Sequence, residues 1–280
     1  MKKILISLLA VFYSIIGFSQ KVVLNLSIKN DFDFSEQHIA IDTMIMEVEY
    51  DYSHNEAPQF DTFLRNDKLF LEIGTKTTHS FSLFEKKMDL EIEAKYQSKG
   101  KRGHFSFDSR IGEIYSNYPD GKITVLTGMD CAGVFRHKED IPHFAWKISD
   151  EHRQILKYDC VKATCTFRGR DYEAWFTSSI PMSYGPWKFG GLPGLILEIY
   201  DSKKEYIFEC KGIQKTKNRN ITFWNREYKD CTRKEMRKYQ KMLHMKPADF
   251  TSLYGLKIIN IKGPITNEEW GYKRNVIEKE

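Results

Sequence analysis

The side chains best suited to chemistry stand in one short stretch, His137, Glu139, Asp140 and His143. Imidazole nitrogens and carboxylate oxygens bind zinc, usually as a set of three or four ligands. On a strand, His137 and Glu139 share a face, because side chains alternate. Ile141-Pro142 then turns the chain before His143, which spoils a simple geometry for a pair of imidazoles. Cys131 is the nearest thiol and has the same strand parity as His137. We therefore expect no metal, no other cofactor and no catalytic residues here. No Gly-x-Ser-x-Gly elbow, phosphate-cradling glycine loop or His-Glu-x-x-His occurs in the chain.

Two other groups of residues invite a reading. Arg168 and Arg170 flank Gly169 and share a strand face. Such a pair binds an anion through bidentate hydrogen bonds, or pairs with carboxylates of its own chain. Between Ile180 and Gly194, Gly and Pro alternate so densely that regular strand pairing must stop. Tyr184, Trp187, Phe189 and Leu192 sit among them, large groups that need cover. They predict a rigid apolar crossing between two strands. Its aromatics either cap the sheet core or form a recognition surface for a ligand or partner.

The elements that must position these groups read mostly as strands. Met44, Met46, Val48, Tyr50 and Tyr52 alternate with Ile45, Glu47, Glu49 and Asp51, and Leu69, Leu71 and Ile73 alternate with Phe70 and Glu72. Residues 111–127 predict a hairpin turning at Tyr118-Pro119-Asp120-Gly121. Further strands are expected over residues 144–148, 172–176, 195–200 and 206–213. Thr232-Arg233-Lys234-Glu235 has capping-box spacing and starts a helix that Pro247 ends. A second helix is expected over residues 82–96, where Phe84, Met88, Ile92 and Tyr96 repeat every four residues. Residues 98–103 are expected to form a mobile loop. The predicted class is mainly β (α+β): a curled antiparallel sheet, or half-open barrel, with a few covering helices.

The chain begins with Lys2-Lys3 and an apolar run from Ile4 to Phe18, then Ser19-Gln20. That order predicts a cleaved signal peptide over residues 1–20 and an exported protein, in the periplasm or outside the cell. The run is too short for a membrane span, which needs about 20 residues. No transmembrane segment is expected in the mature chain. Residues 21–280 are expected to form one domain. Loss of Lys2 and Lys3 lowers the formal charge from +5 to +3, too weak an excess to imply nucleic-acid binding. Lys and Arg gather from Lys203 to Lys246, a pattern that fits a solvated helix face. The five Cys are an odd number, so at least one thiol is unpaired within the chain, and the pairing is open.

Residues 158–201 carry a longer signature. It runs through Phe167-Arg168-Gly169-Arg170, Gly185-Pro186-Trp187-Lys188-Phe189 and Gly191-Leu192-Pro193-Gly194-Leu195-Ile196. This segment closely resembles the GLPGLI family of exported bacterial proteins. The resemblance extends over roughly residues 110–215 and implies export and an uncharacterised biochemical role, with no catalytic residues to carry over. The expected function is a non-enzymatic binding or carrier protein for an apolar ligand or an envelope partner. The alternatives are an accessory protein of the envelope, or a hydrolase whose site is assembled from distant residues.

Overall fold

The computed structural model describes residues 38–55, 64–97, 111–129, 132–253, 259–260, 263–264 and 275–279. The signal-peptide region, the loop at residues 98–103 and Cys131 lie outside them. Two antiparallel meanders make up the sheet. The first comprises β1 (His38–Asn55), β2 (Leu64–Gly74), β3 (Thr78–Ser82), β4 (Glu113–Ser116), β5 (Lys122–Gly128) and β6 (Val134–Asp140). The second comprises β7 (Lys147–Ile155), β8 (Tyr158–Phe167), β9 (Arg170–Thr177), β10 (Leu195–Asp201) and β11 (Tyr206–Trp224). The long strands β1 and β11 pair antiparallel and join the meanders, His38 facing Trp224 and His54 facing Tyr206. A short strand, β12 (Lys229–Asp230), adds in parallel beside β6. The order is β12-β6-β5-β4-β3-β2-β1-β11-β10-β9-β8-β7. The sheet is open, with β12 and β7 as its edges. A separate two-stranded ribbon pairs Ile259–Asn260 with Gly263–Pro264.

The alternation in β1 is modified at one point. Met44 and Met46 are both buried, but a bulge between them shifts the register. An extra residue reverses the facing of the strand beyond it. Met44 therefore joins the cluster of Tyr115, Leu126 and Phe223 on the convex side, while Met46, Val48, Tyr50 and Tyr52 enter the concave core.

Three helices accompany the sheet: α1 (Leu83–Gln97), α2 (Arg233–Met245) and α3 (Pro247–Leu253). None is long and apolar enough to cross a membrane among the described residues. Ser82 Oγ accepts the Glu85 amide and starts α1. Phe84, the first residue of the four-residue apolar stripe, is 41% exposed and does not anchor this helix. Instead α1 turns polar groups toward a charged layer on the convex face. Lys86 stands 3.8 Å from Glu113, and Asp89 lies 3.1 Å from Arg226. α2 has the predicted capping box, with Thr232 Oγ1 accepting the Glu235 amide and Glu235 accepting the Thr232 amide. Met236, Tyr239, Met242 and Leu243 pack on Phe135 and Phe250, fixing α2 beside β6 on the concave side. Thr232→Ala should lower stability by about 1 kcal/mol, the usual loss for a hydroxyl cap. A thermal melt falling by a few degrees checks it; an unchanged melt would show that tertiary packing alone starts this helix.

The crossing between β9 and β10 fills the concave face. Trp187, Phe189 and Leu192 are nearly fully buried and Tyr184 is half-buried. Trp187 takes a left-handed φ of 55°, rare for a bulky residue. Its amide donates to Ser80 Oγ of β3 at 3.0 Å, and its indole N–H to the Ile111 carbonyl at 3.3 Å. Trp146 donates to the Gly190 carbonyl at 2.9 Å. The crossing thus reaches from β10 to a strand on the far side of β1. Gly194 is needed where the crossing re-enters the sheet, because a Cβ there would collide with the Thr177 carbonyl.

Candidate functional site

The curl of the sheet brings its two distant arms into contact at the mouth of the concave side. Arg168, in the turn between β8 and β9, forms an ion pair with Glu139 of β6 at 2.8 Å. Lys188 from the buried crossing meets both Glu139 and Glu278, the latter at 2.7 Å. Arg233 of α2 reaches Glu278 at 2.8 Å, and Arg168 also contacts that carboxylate. Burial alone would push the Glu278 carboxyl up. The surrounding Lys188, Arg168 and Arg233 cations outweigh it and hold Glu278 down to about 2. Glu139 is likewise held below its usual range against its burial, by Lys188 and Arg168.

Arg170 anchors the chain end that supplies Glu278. Its guanidinium donates to Asp201 at 2.8 Å, Glu205 at 2.7 Å and Asn275 Oδ1 at 2.6 Å, and to the carbonyls of Val276 and Ile277. Both arginines of the Arg-Gly-Arg turn are therefore engaged by groups of their own chain. They hold the terminal strap, residues 275–279, across the mouth. Trp187 and Phe189 of the crossing stand in the core, and Tyr184 is half-buried against it.

A groove of about 840 Å³ lies between the strap, α2 and the concave side of β5 and β6. That volume falls within the range of about 300–1,000 Å³ typical of small-molecule sites. Its floor is apolar, made by Ile111, Val125, Trp187, Met236 and Ile277. Its walls are basic: seven lining residues are Lys or Arg, and Glu278 is the one lining carboxylate among the described residues. α2 produces this contrast because its apolar stripe is spent on Phe135 and Phe250. Lys234, Lys238 and Lys241 consequently project from its other sides, exposed and without an ion pair among the described residues.

His137 lines the same groove from β6 and is only 4% exposed. Neither ring nitrogen has a hydrogen-bond partner among the described residues. Burial, with the Lys188 and Arg233 cations, pushes its pKa down to about 4 against the opposing pull of Glu139 and Glu278, so the ring is neutral at pH 7. The other members of the candidate metal cluster do not gather around it. Glu139 is held by Arg168 and Lys188, Asp140 pairs with Lys122, and His143 is exposed beyond the strand end. Among the described residues no group of three His, Cys, Asp or Glu stands ready for a metal ion.

A second polar cluster lies under α1. His79 Nδ1 is 2.7 Å from Glu72 and its Nε2 is 2.6 Å from Glu113, which also accepts from Tyr115. The ring is almost wholly buried, and the nearby void of about 20 Å³ has room for about one water. This arrangement satisfies buried charges and offers no entry to a substrate. The thiols are similarly inert. Burial pushes Cys160 up to about 11 and Cys165 and Cys210 up to about 12, and no disulfide joins Cys160, Cys165, Cys210 or Cys231.

Residues 168–198 match a family described as "Protein of unknown function (Porph_ging)". The match begins at the Arg-Gly-Arg turn and ends in β10, so it covers the buried crossing and leaves most of the groove outside. No curated protein matches the chain. Two solved structures are similar, described as "Structure of PNGF-II in P21 space group" and "Structure of PNGF-II in C2 space group". Each is 14% identical and covers 70% of this chain, with TM-scores of 0.49 and 0.48. The aligned part spans 32% of each of those chains.

Proposed function

We propose that this is an exported envelope protein of the GLPGLI type that binds a ligand without transforming it, and that binding takes place at the mouth of the curled sheet. The groove beside α2 carries this reading, being of small-molecule size and lined by more cations than carboxylates among the described residues. The apolar concave face is a poorer candidate. A wholly apolar cargo would need it open, and Trp187, Phe189 and Leu192 of the chain already occupy it. Export is supported by Lys2-Lys3 and the apolar run to Phe18.

Native mass spectrometry of protein purified from its own cell envelope tests the reading. The expected result is a chain beginning near Gln20 or Lys21 that carries a small molecule, with that molecule lost from a Lys238→Glu/Lys241→Glu variant. A stable product that retains Met1 would refute export. A ligand retained equally by the variant would refute the groove.

A further inference from the structure

We infer that the seat of the terminal strap is a recognition site for a protein segment in which an apolar residue is followed directly by Glu, and that residues 275–279 fill it in cis until such a partner displaces them. The inference does not depend on what the groove beside α2 holds.

The strap is held in the manner of a bound peptide. Its backbone joins no strand. Side chains of the sheet engage its carbonyls instead. Tyr206 donates to that of Asn275 at 2.6 Å and Arg170 to that of Val276 at 2.9 Å. Arg170 and Tyr172 both donate to that of Ile277, at 3.1 and 3.3 Å. These contacts fix position and accept any sequence. Selection falls on three side chains. Asn275 accepts from Arg170 and donates to the Asn55 carbonyl at 2.8 Å. Ile277 alone of the five residues is buried, in the main core cluster. Glu278 stands among Arg168, Lys188 and Arg233.

The seat is built without its occupant. Arg170 also pairs with Asp201 and Glu205, and Arg168 and Lys188 with Glu139. Withdrawing Glu278 leaves Arg168 and Lys188 to share one carboxylate, Glu139, with Arg233 3.7 Å from it. That excess of positive charge, beside the slot vacated by Ile277, suits an incoming acidic segment with an apolar residue before its Glu. The strap itself is able to leave. It buries one apolar side chain and shares no ladder with the sheet, so it opens locally while the strands persist.

Titration with a fluorescent peptide of residues 274–280 tests this, using the full mature chain and its Ile277→Asp/Glu278→Lys variant, whose own strap no longer fits. The variant should bind one peptide per chain, at least tenfold more tightly than the native chain, whose strap competes. A peptide carrying Glu278→Gln should bind the variant at least tenfold more weakly, and high salt should weaken the original peptide. N-acetylglutamate binding as tightly as the peptide would reduce the seat to a bare carboxylate site and overturn the inference. A folded variant that leaves the peptide unbound would overturn it too, by making the strap a fixed part of the core. Should the variant fail to fold, hydrogen exchange in the native chain decides. The amides of residues 276–279 should exchange at least a hundredfold faster than those of β9 and β10, and exchange only with global unfolding would overturn the inference.

Discussion

Replacing Trp187 with alanine should destabilise the folded chain by about 3–5 kcal/mol, the range for large aromatic groups removed from cores. Trp187 is 3% exposed, and its ring packs on Phe189 at 5.1 Å and on Phe167 at 6.4 Å between centroids. Its indole N–H also satisfies the Ile111 carbonyl, which the substitution would leave without that donor. The loss exceeds that of an ordinary core residue in reach as well as in area. Trp187 links the crossing after β9 to β3 and to Ile111, so its removal loosens both arms of the sheet. Thermal unfolding should shift down by about 10 °C, at about 2–4 °C per kcal/mol for a domain of this size. A melt unchanged within a degree would show that the crossing lies on the surface and is free to meet a partner.

Acid should weaken the ligand-free protein in two steps, the first of which belongs to His137. The pKa of this ring falls from an ordinary value of about 6.5 to about 4 in the folded chain. Between those values the unfolded chain binds the proton and the folded chain refuses it. Stability is therefore complete above about pH 6.5 and falls toward pH 4, by about 3 kcal/mol for this group. Burial enforces the refusal first, with Lys188 and Arg233 beside it, while Glu139 and Glu278 oppose it. The second step belongs to the carboxylates. Glu278 is held at about 2, so its contribution is intact above about pH 4.5 and is lost as pH falls toward 2. Urea unfolding at pH 7 and pH 4 checks the first step. The native chain should lose about 3 kcal/mol more than His137→Leu over that interval, and equal losses would remove His137 from the account.

Much of this arrangement was legible in the residues. The alternation of Met46 to Tyr52 and of Leu69 to Ile73 predicted strands, because a half-buried strand needs period two and little else. Thr232 and Glu235 announced the start of α2, since a capping box is local chemistry. The crossing at Tyr184, Trp187, Phe189 and Leu192 was readable as a rigid apolar segment needing cover. Its burial required the long reach to Ser80 and Ile111, which spacing along the chain does not encode. The basic run from Lys203 to Lys246 fitted a solvated helix face, and in part it is one. Its other role depends on how α2 is rotated about its axis, which Phe135 and Phe250 decide. Arg168 and Arg170 admitted either an anion or carboxylate partners. Their partners, Glu139, Asp201, Glu205 and Glu278, come from segments far apart in the chain. His137 drew attention through neighbouring ligand types, whereas its distinguishing property is isolation. No local pattern signals a side chain that finds no hydrogen bond.

The seam between β1 and β11 joins an early part of the chain to a late one, with His38 beside Trp224. A ribosome releases β1 through β6 long before β11 exists, so the central strand spends its first moments as an edge. Its 18 residues then present a row of unpaired amides and carbonyls, with Val48, Tyr50 and Tyr52 uncovered. Such an edge is a template for a second copy of itself. The slow closure expected of so distant a pairing lengthens the exposure. Fragments that stop before Tyr206 should therefore aggregate rather than fold, and the intact chain should depend most on chaperoning while that seam is incomplete.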